Sequence, residues 1–294
     1  MAPTGLDNLP RPTAFVLAGG ASLGAVQLGM LRAVLECGIE PDFLVGTSVG
    51  AINATYLAQS VDERRLDKLA EIWSTLDSED VFPRLGWRSV FNLVTRGGPP
   101  ALASQEGIRS LLRAHAPRRH ADLETPVAVV ATDLLQGDKV VFEEGDLHEH
   151  VLASTAIPGV FSPVEVDGRA LVDGGVVANV PVLPARALGA ESMVVLDPGY
   201  PCDLDEAPSG ALGYAMYIVT LMLRHQSHGA LHFLGDDTTV LYPPPPCPLS
   251  VAPHRFDDTD ALIDKGYETA RLFFEDLTVD EVGVYGHPHF HPPS

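Results

Sequence analysis

Asp42-Phe43-Leu44-Val45-Gly46-Thr47-Ser48-Val49-Gly50-Ala51-Ile52-Asn53-Ala54-Thr55-Tyr56-Leu57-Ala58 is the stretch that decides the fold. A short apolar run suited to a buried strand enters Gly-x-Ser-x-Gly, and a longer apolar run suited to a helix leaves it. A serine on such a sharp turn occupies a strained backbone region, and Gly46 and Gly50 leave room where neighbouring side chains would clash. The turn lifts Oγ clear of the backbone, and the following helix aims its positive end at the same point. That suits an oxygen nucleophile, although a Gly/Ser turn without chemistry has the same pattern.

Upstream, Thr13 to Leu17 reads as a buried strand, Ala18 to Ser22 as a glycine-containing loop, and Leu23 to Cys37 as a helix closed by Gly38 at C′. Two successive βα units predict an α/β fold, a parallel sheet with helices on both faces. Downstream, Asp62 to Leu76 and Gln105 to Ala114 read as helices, with a Gly- and Pro-rich loop at Leu85 to Ala101 between them. Val127 to Thr132 and Lys139 to Phe142 form a hairpin pattern around Gln136-Gly137-Asp138. Ala170 to Val172 leads into Asp173-Gly174-Gly175, Met193 to Leu196 is a buried strand, and Thr259 to Glu275 a final helix. Tyr200 to Ser209 is expected to be an acidic surface loop, and Pro243 to Pro246 a stiff connector.

With 294 residues, 46% of them hydrophobic, the chain can bury a sizeable core. Nineteen basic against thirty-nine acidic residues give −20, which disfavours nucleic acid and strong attachment to anionic lipid, and leaves transient membrane-surface contact through an apolar patch. Cys37, Cys202 and Cys247 are widely spaced, without a Cys-x-x-Cys, and Met1 to Arg11 has no signal-peptide pattern. A cytoplasmic, at most peripheral, location follows as an expectation. Ala14 to Leu31 is uncharged, but its glycines, Ser22 and Gln27 fit strand, loop and helix better than a bilayer span. Ala211 to Leu223 is too short to span; a buried helix is the preferred reading, a lid or interfacial helix the alternative. Residues 1–12 are expected to be flexible, 13–277 to form one domain, and the His- and Pro-rich 278–294 to be disordered.

A serine that attacks an acyl carbon needs a base, donors for the oxyanion and room for the leaving group. Gly19-Gly20-Ala21 closes the first strand on the same sheet edge as Ser48, leaving uncovered amides. A phosphate loop is the competing reading, but no Gly-Lys-Ser/Thr is present, and Gly19-x-x-x-x-Gly24 lacks a middle glycine, so no nucleotide is expected. Among eleven histidines, His287, His289 and His291 lie in the tail, and His225, His228 and His232 follow the apolar helix at near-helical spacing. Asp173 offers a carboxylate at a strand end, read equally well as a turn aspartate.

These segments together carry a resemblance. Phe15 to Gly24, Gly46 to Gly50, Ser154 to Phe161, Asp173-Gly174-Gly175 and Asn179-Val180-Pro181 resemble the patatin-like phospholipase family, over roughly Thr13 to Asp197 and more weakly to about residue 275. The resemblance implies a three-layer α/β/α patatin-like fold with a mostly parallel central sheet, related to α/β-hydrolases. It further implies a lipid acyl hydrolase with Ser48 as nucleophile, Asp173 as base and the Gly19, Gly20 and Ala21 amides as oxyanion hole. Gly24, Gly46, Gly50, Gly174 and Gly175 would support the motifs; a lipid or acyl ester would be the substrate, and no metal or cofactor would be required. Ala21 replaces a family glycine, and Leu23 stands where the family usually carries Arg or Lys. Leu85 to Val94 and Ala211 to Leu223 are candidates for an acyl channel or lid. The rivals are a catalytically weak lipid-binding protein on this fold, motivated by Ala21 and Leu23, and a Ser–His–Asp esterase using a downstream histidine.

Overall fold

The computed structural model describes residues 6, 9–77, 103–200, 211–249, 256 and 258–288. Strand β1 (Thr13–Leu17) runs through a 3₁₀ turn (Ala21–Leu23) into α1 (Gly24–Glu36), and β2 (Phe43–Thr47) through Ser48 into α2 (Val49–Leu57). Gly38, at φ 73°, ends α1 as expected. Helix α3 (Glu63–Thr75) starts where Asp62 accepts the Arg65 amide, and α4 (Glu106–His115) precedes β3 (Val127–Asp133) and β4 (Asp138–Phe142). Next come α5 (Leu147–Ser154), β5 (Val164–Val166), β6 (Arg169–Asp173), α6 (Gly175–Ala178) and α7 (Val182–Ala187). The chain continues through β7 (Ser192–Leu196), α8 (Ala211–His232), β8 (Thr239–Tyr242), α9 (Thr259–Glu275) and β9 (Val284–Gly286).

Among the described residues these strands form one sheet in the order β5-β6-β3-β2-β1-β7-β8-β9, with β4 also on β3. From β3 through β2, β1, β7 and β8 to β9 every pairing is parallel; β4, β6 and β5 join antiparallel. Successive side chains alternate faces. Phe15, Leu17, Leu44, Val129 and Leu196 pack beneath α1, α2, α3 and α9, while Ala14, Val16, Val45, Val130 and Val195 pack beneath α7 and the end of α8. The mostly parallel sheet is thus buried on both faces by helices, as a three-layer α/β/α fold requires.

One feature of β3 positions the site. Strand β4 covers one edge of β3 from Val129 to Asp133. Both β2, which pairs Thr47 with Val130, and β6, which pairs Asp173 with Ala131, must therefore use the opposite edge. They run in opposite directions and meet head to head there, on adjacent residues of β3. The register of β6 comes from its hairpin with β5, where Asp167 and Gly168 form a two-residue turn, both at positive φ (50° and 74°).

Several expectations are corrected. Leu6 and Leu9 are buried and Arg11 pairs with Asp42 at 2.8 Å, so these residues of the segment expected to be flexible are anchored by apolar burial and an ion pair. Val284 to Gly286 pairs with β8 inside the segment expected to be disordered, because β8 would otherwise present an open edge. The α8 segment is not a core helix: Tyr214, Ile218, Val219 and Met222 are exposed. The loop at Leu85 to Ala101, and with it the Leu85 to Val94 channel candidate, lies outside the described residues. Among the described residues no helix is long and apolar enough to cross a membrane.

Candidate active site

The head-to-head meeting of β2 and β6 delivers Ser48 and Asp173 to one point. Ser48 adopts φ 53°, ψ −125°, and its Oγ donates to Asp173 Oδ2 at 2.6 Å. The strained backbone is held by its surroundings. Ser48 N–H donates to Ser154 Oγ at 2.8 Å, and Ser154 Oγ in turn donates to the Val130 carbonyl at 2.6 Å. Asp173 is held as firmly: its N–H donates to the Ala156 carbonyl, its carbonyl accepts from Thr132 Oγ1, and Oδ1 accepts the Gly175 amide at 2.7 Å. The Ser154 to Phe161 segment therefore braces both residues.

The five motif glycines mark close approaches. A Cβ on Gly174 would run into the Val130 carbonyl at the strand junction, and one on Gly50 into the Leu17 carbonyl. At Gly46 it would meet Ala51 Cα at 2.5 Å, at Gly24 Val49 Cγ2 at 2.5 Å, and at Gly175 Asn179 Oδ1 at 2.8 Å. At Gly46, Gly50 and Gly174 backbone packs against backbone, while Gly24 and Gly175 make room for the Val49 and Asn179 side chains.

Asp173 is almost wholly buried, and desolvation pushes its carboxyl up from the usual range to about 6, against the opposing pull of the Ser48 hydroxyl and the Gly175 amide. It therefore titrates close to neutrality while staying ionised above it. A base poised this way can take a hydroxyl proton and return it.

Of the three amides in the glycine loop, that of Gly19 donates to the Asn179 carbonyl at 3.1 Å. Those of Gly20 and Ala21 donate to no acceptor among the described residues. Ala21 sits at φ 51°, the left-handed region that glycine occupies without strain. Leu23 is fully buried, so a cation at that place would need a partner in the core.

Beside Ser48 opens a narrow, almost wholly apolar cleft. Ala21, Ile52, Leu69, Ile72, Ile108 and Phe161 are among its lining residues, with His115 at its wall. The sequence reading assigned no role to this histidine. No histidine nitrogen bonds to Ser48 or Asp173 among the described residues; His225 lies exposed on α8. His120 and His150 form a buried pair, Nε2 to Nδ1 at 3.0 Å, with His150 one turn before Ser154 on α5, and burial pushes both down, His150 to about 4.

Two polar networks escaped the sequence reading. Gln27 donates to the Ala18 and Leu196 carbonyls at the ends of β1 and β7, and accepts from Asn53, which accepts from Trp73 Nε1. Asn179 donates its side-chain amide to Tyr200 Oη at 2.6 Å, Tyr200 contacts Ser227, and Gln226 accepts the Asn179 N–H at 2.6 Å. Asn179 thus ties the glycine loop to α8, and Tyr200 is part of the site's frame rather than of a surface loop. The family resemblance of Asn179-Val180-Pro181 marked this segment without giving Asn179 a role.

Fold and site together define a three-layer α/β protein with a buried serine–carboxylate pair at the end of its central strands. The sequence profile described as patatin-like phospholipase matches residues 15–186, more than half of the chain, and the chain belongs to that family. It is 31% identical over 189 residues to the rat patatin-like phospholipase domain-containing protein 7, which covers 63% of this chain and 13% of that protein. It is 32% identical over 190 residues to an uncharacterized NTE family protein of Mycobacterium bovis, covering 65% of this chain and 49% of that one. The chain therefore spans less than half of either relative's length. Among solved structures, VipD from Legionella pneumophila matches with 15% identity and a TM-score of 0.44, over 90% of this chain and 67% of that one.

Proposed function

We propose that this protein is a serine lipid acyl hydrolase of phospholipase A or esterase type, cleaving fatty-acyl carboxylic esters through a Ser48–Asp173 dyad. The observation that carries the reading is the 2.6 Å bond from Ser48 Oγ, in the lining of an apolar cleft, to a buried carboxyl whose pKa is raised to about 6. Asp173 takes the hydroxyl proton as Ser48 attacks the acyl carbon, with the carbonyl carbon near Oγ and the acyl chain along the cleft. The oxyanion is received by the Gly20 and Ala21 amides, which have no competing acceptor among the described residues. The Gly19 amide joins them only if it leaves the Asn179 carbonyl. Asp173 then gives the proton to the departing alcohol or lysolipid. In the second half it draws a proton from water, hydroxide attacks the acyl-serine ester, and the fatty acid leaves as Ser48 recovers its hydrogen. Every proton passes through one carboxylate. That accounts for the absence of any bonded histidine at Ser48 among the described residues.

Hydrolysis of a medium-chain p-nitrophenyl ester by wild type and Ser48→Ala, alongside labelling by a fluorophosphonate, tests the reading. Turnover and labelling that both vanish in the variant support it. A folded wild type that does neither overturns it and favours the lipid-binding alternative. Turnover that survives Asp173→Asn but not His115→Ala or His225→Ala would replace the dyad by a histidine-based mechanism.

A further inference from the structure

We propose that the exposed apolar stripe of α8 docks the protein onto a neutral, zwitterionic lipid surface. Tyr214, Ile218 and Met222 stand four residues apart on one side of the helix, with Val219 beside them. Their relative exposures are 58%, 37%, 66% and 48%. Further along, Ser227 is buried and Ala230, Leu231 and Leu234 pack into the smaller core, so among the described residues the second half of the helix is held to the body. A helix anchored in one half, with an exposed apolar stripe on the other, is built to lie in an interface. Tyr214 supplies the amphipathic ring that such a plane favours.

Charge decides the kind of surface. From Ala211 to Gly235 the chain carries no carboxylate and one arginine, Arg224, while thirty-nine acidic residues lie elsewhere. The stripe thus lies in a run free of carboxylates, as residues 8–35 and 81–105 also do, and the helix itself brings no negative charge to the contact. An anionic bilayer would still repel the molecule as a whole, whereas a zwitterionic one would meet only the uncharged helix. Area decides against a second protein. Four side chains fall well short of the roughly 800 Å² per partner that a stable interface buries. Insertion to a depth of about 5–10 Å into the headgroup boundary asks no more than such a stripe provides.

The same helix is bonded to the site. Gln226 donates to the Val176 carbonyl at 3.1 Å and accepts the Asn179 N–H. Val176, 48% exposed, follows Asp173 by three residues. Docking would therefore bring aggregated lipid to the element next to Asp173. In meaning this deepens the acyl-hydrolase reading, since it names the physical form of the substrate; its test stands apart from turnover.

The test uses the Ser48→Ala protein with and without Ile218→Asp plus Met222→Asp, floated with vesicles of phosphatidylcholine or of phosphatidylglycerol. In parallel, the Ser48-containing pair hydrolyses p-nitrophenyl butyrate, a water-soluble ester, with far-UV circular dichroism confirming the fold. The expected result is flotation of Ser48→Ala with phosphatidylcholine, weaker flotation with phosphatidylglycerol, and a loss of at least about tenfold in the double aspartate variant. Soluble-ester turnover should be equal in both Ser48-containing proteins. If neither turns over the ester while flotation still differs, docking stands and the hydrolase reading falls. Equal flotation of both variants, or none by the parent, overturns the proposal. A parent dimer that the aspartates split into monomers would assign the stripe to a second copy instead and overturn it too.

Discussion

The junction of β2, β3 and β6 and the first half of α8 are the two extremes of this molecule. At the junction, backbone touches backbone and every polar atom of Ser48 and Asp173 named above has a partner. In the first half of α8, Tyr214, Ile218, Val219 and Met222 face outward, exposed. The first region leaves the chain no freedom and the second leaves it a free surface. Precision in placing reacting atoms and tolerance at a contact face are thus segregated in one fold, joined by the Asn179–Gln226 contact.

Substitutions in the two regions should differ accordingly. Ser48→Ala should cut ester turnover about 10⁴-fold, equivalent to about 5.5 kcal/mol, with little change in melting temperature. Steady-state kinetics on a p-nitrophenyl ester would show a smaller loss if the junction did not carry the chemistry. Gly174→Ala, which drives a methyl group against the Val130 carbonyl, should cost about 3 kcal/mol in urea unfolding. A cost near zero would mean that the junction can relax.

Asp173 gives the comparison a pH axis. Its carboxyl is raised by burial from 3.8 to about 6, so the folded state favours the protonated form. Wild type should lose stability relative to Asp173→Asn as pH rises from about 4 to 6, and the difference should then level off. The gap, (6 − 3.8) × 1.36, is at most about 3 kcal/mol at pH 8 and close to zero at pH 3.5. Over the same range kcat/KM of wild type should climb with an apparent pKa near 6, since the base must be ionised. A flat profile between pH 5 and 8 would remove Asp173 from the proton path.

Smaller effects complete the series. Ala21→Gly should stabilise the protein by about 0.5 kcal/mol, the relief of the φ of 51° exceeding the added freedom of the unfolded chain. Thermal unfolding would read it directly. Met222→Ser on α8 should change stability by less than about 0.5 kcal/mol. A larger loss would mean that the stripe is covered in solution.

The Ser48 turn was legible in the sequence because close approach demands glycine at Gly46 and Gly50, whereas Asp173 read equally well as a turn aspartate and took its role only from the family resemblance. The βα order followed from apolar runs of the right length. What escaped was written in single polar residues far apart in the chain. Asn179, Tyr200 and Gln226 share no pattern until the fold brings them together. Helix α8 was misread because apolar content alone does not say whether a face is covered by protein. Strand β8, four residues beside a proline run, carried too little signal. Asp167-Gly168, a strong hairpin dipeptide, was present and passed over.

That small turn governs more than a hairpin. Because neighbouring residues of a strand look to opposite sides, the parity of the count from Asp167-Gly168 to Asp173 decides which side the carboxylate faces. A one-residue slip of β6 in its pairing with β5 and β3 would leave a strand there and point the Asp173 side chain away from Ser48. The sheet could survive such an error and the chemistry could not. In this fold a single-residue insertion that shifts the register of β6, fifteen or so ångströms from the reacting oxygen (about five residues of strand at ~3.3 Å each), would be a null mutation by odd and even alone.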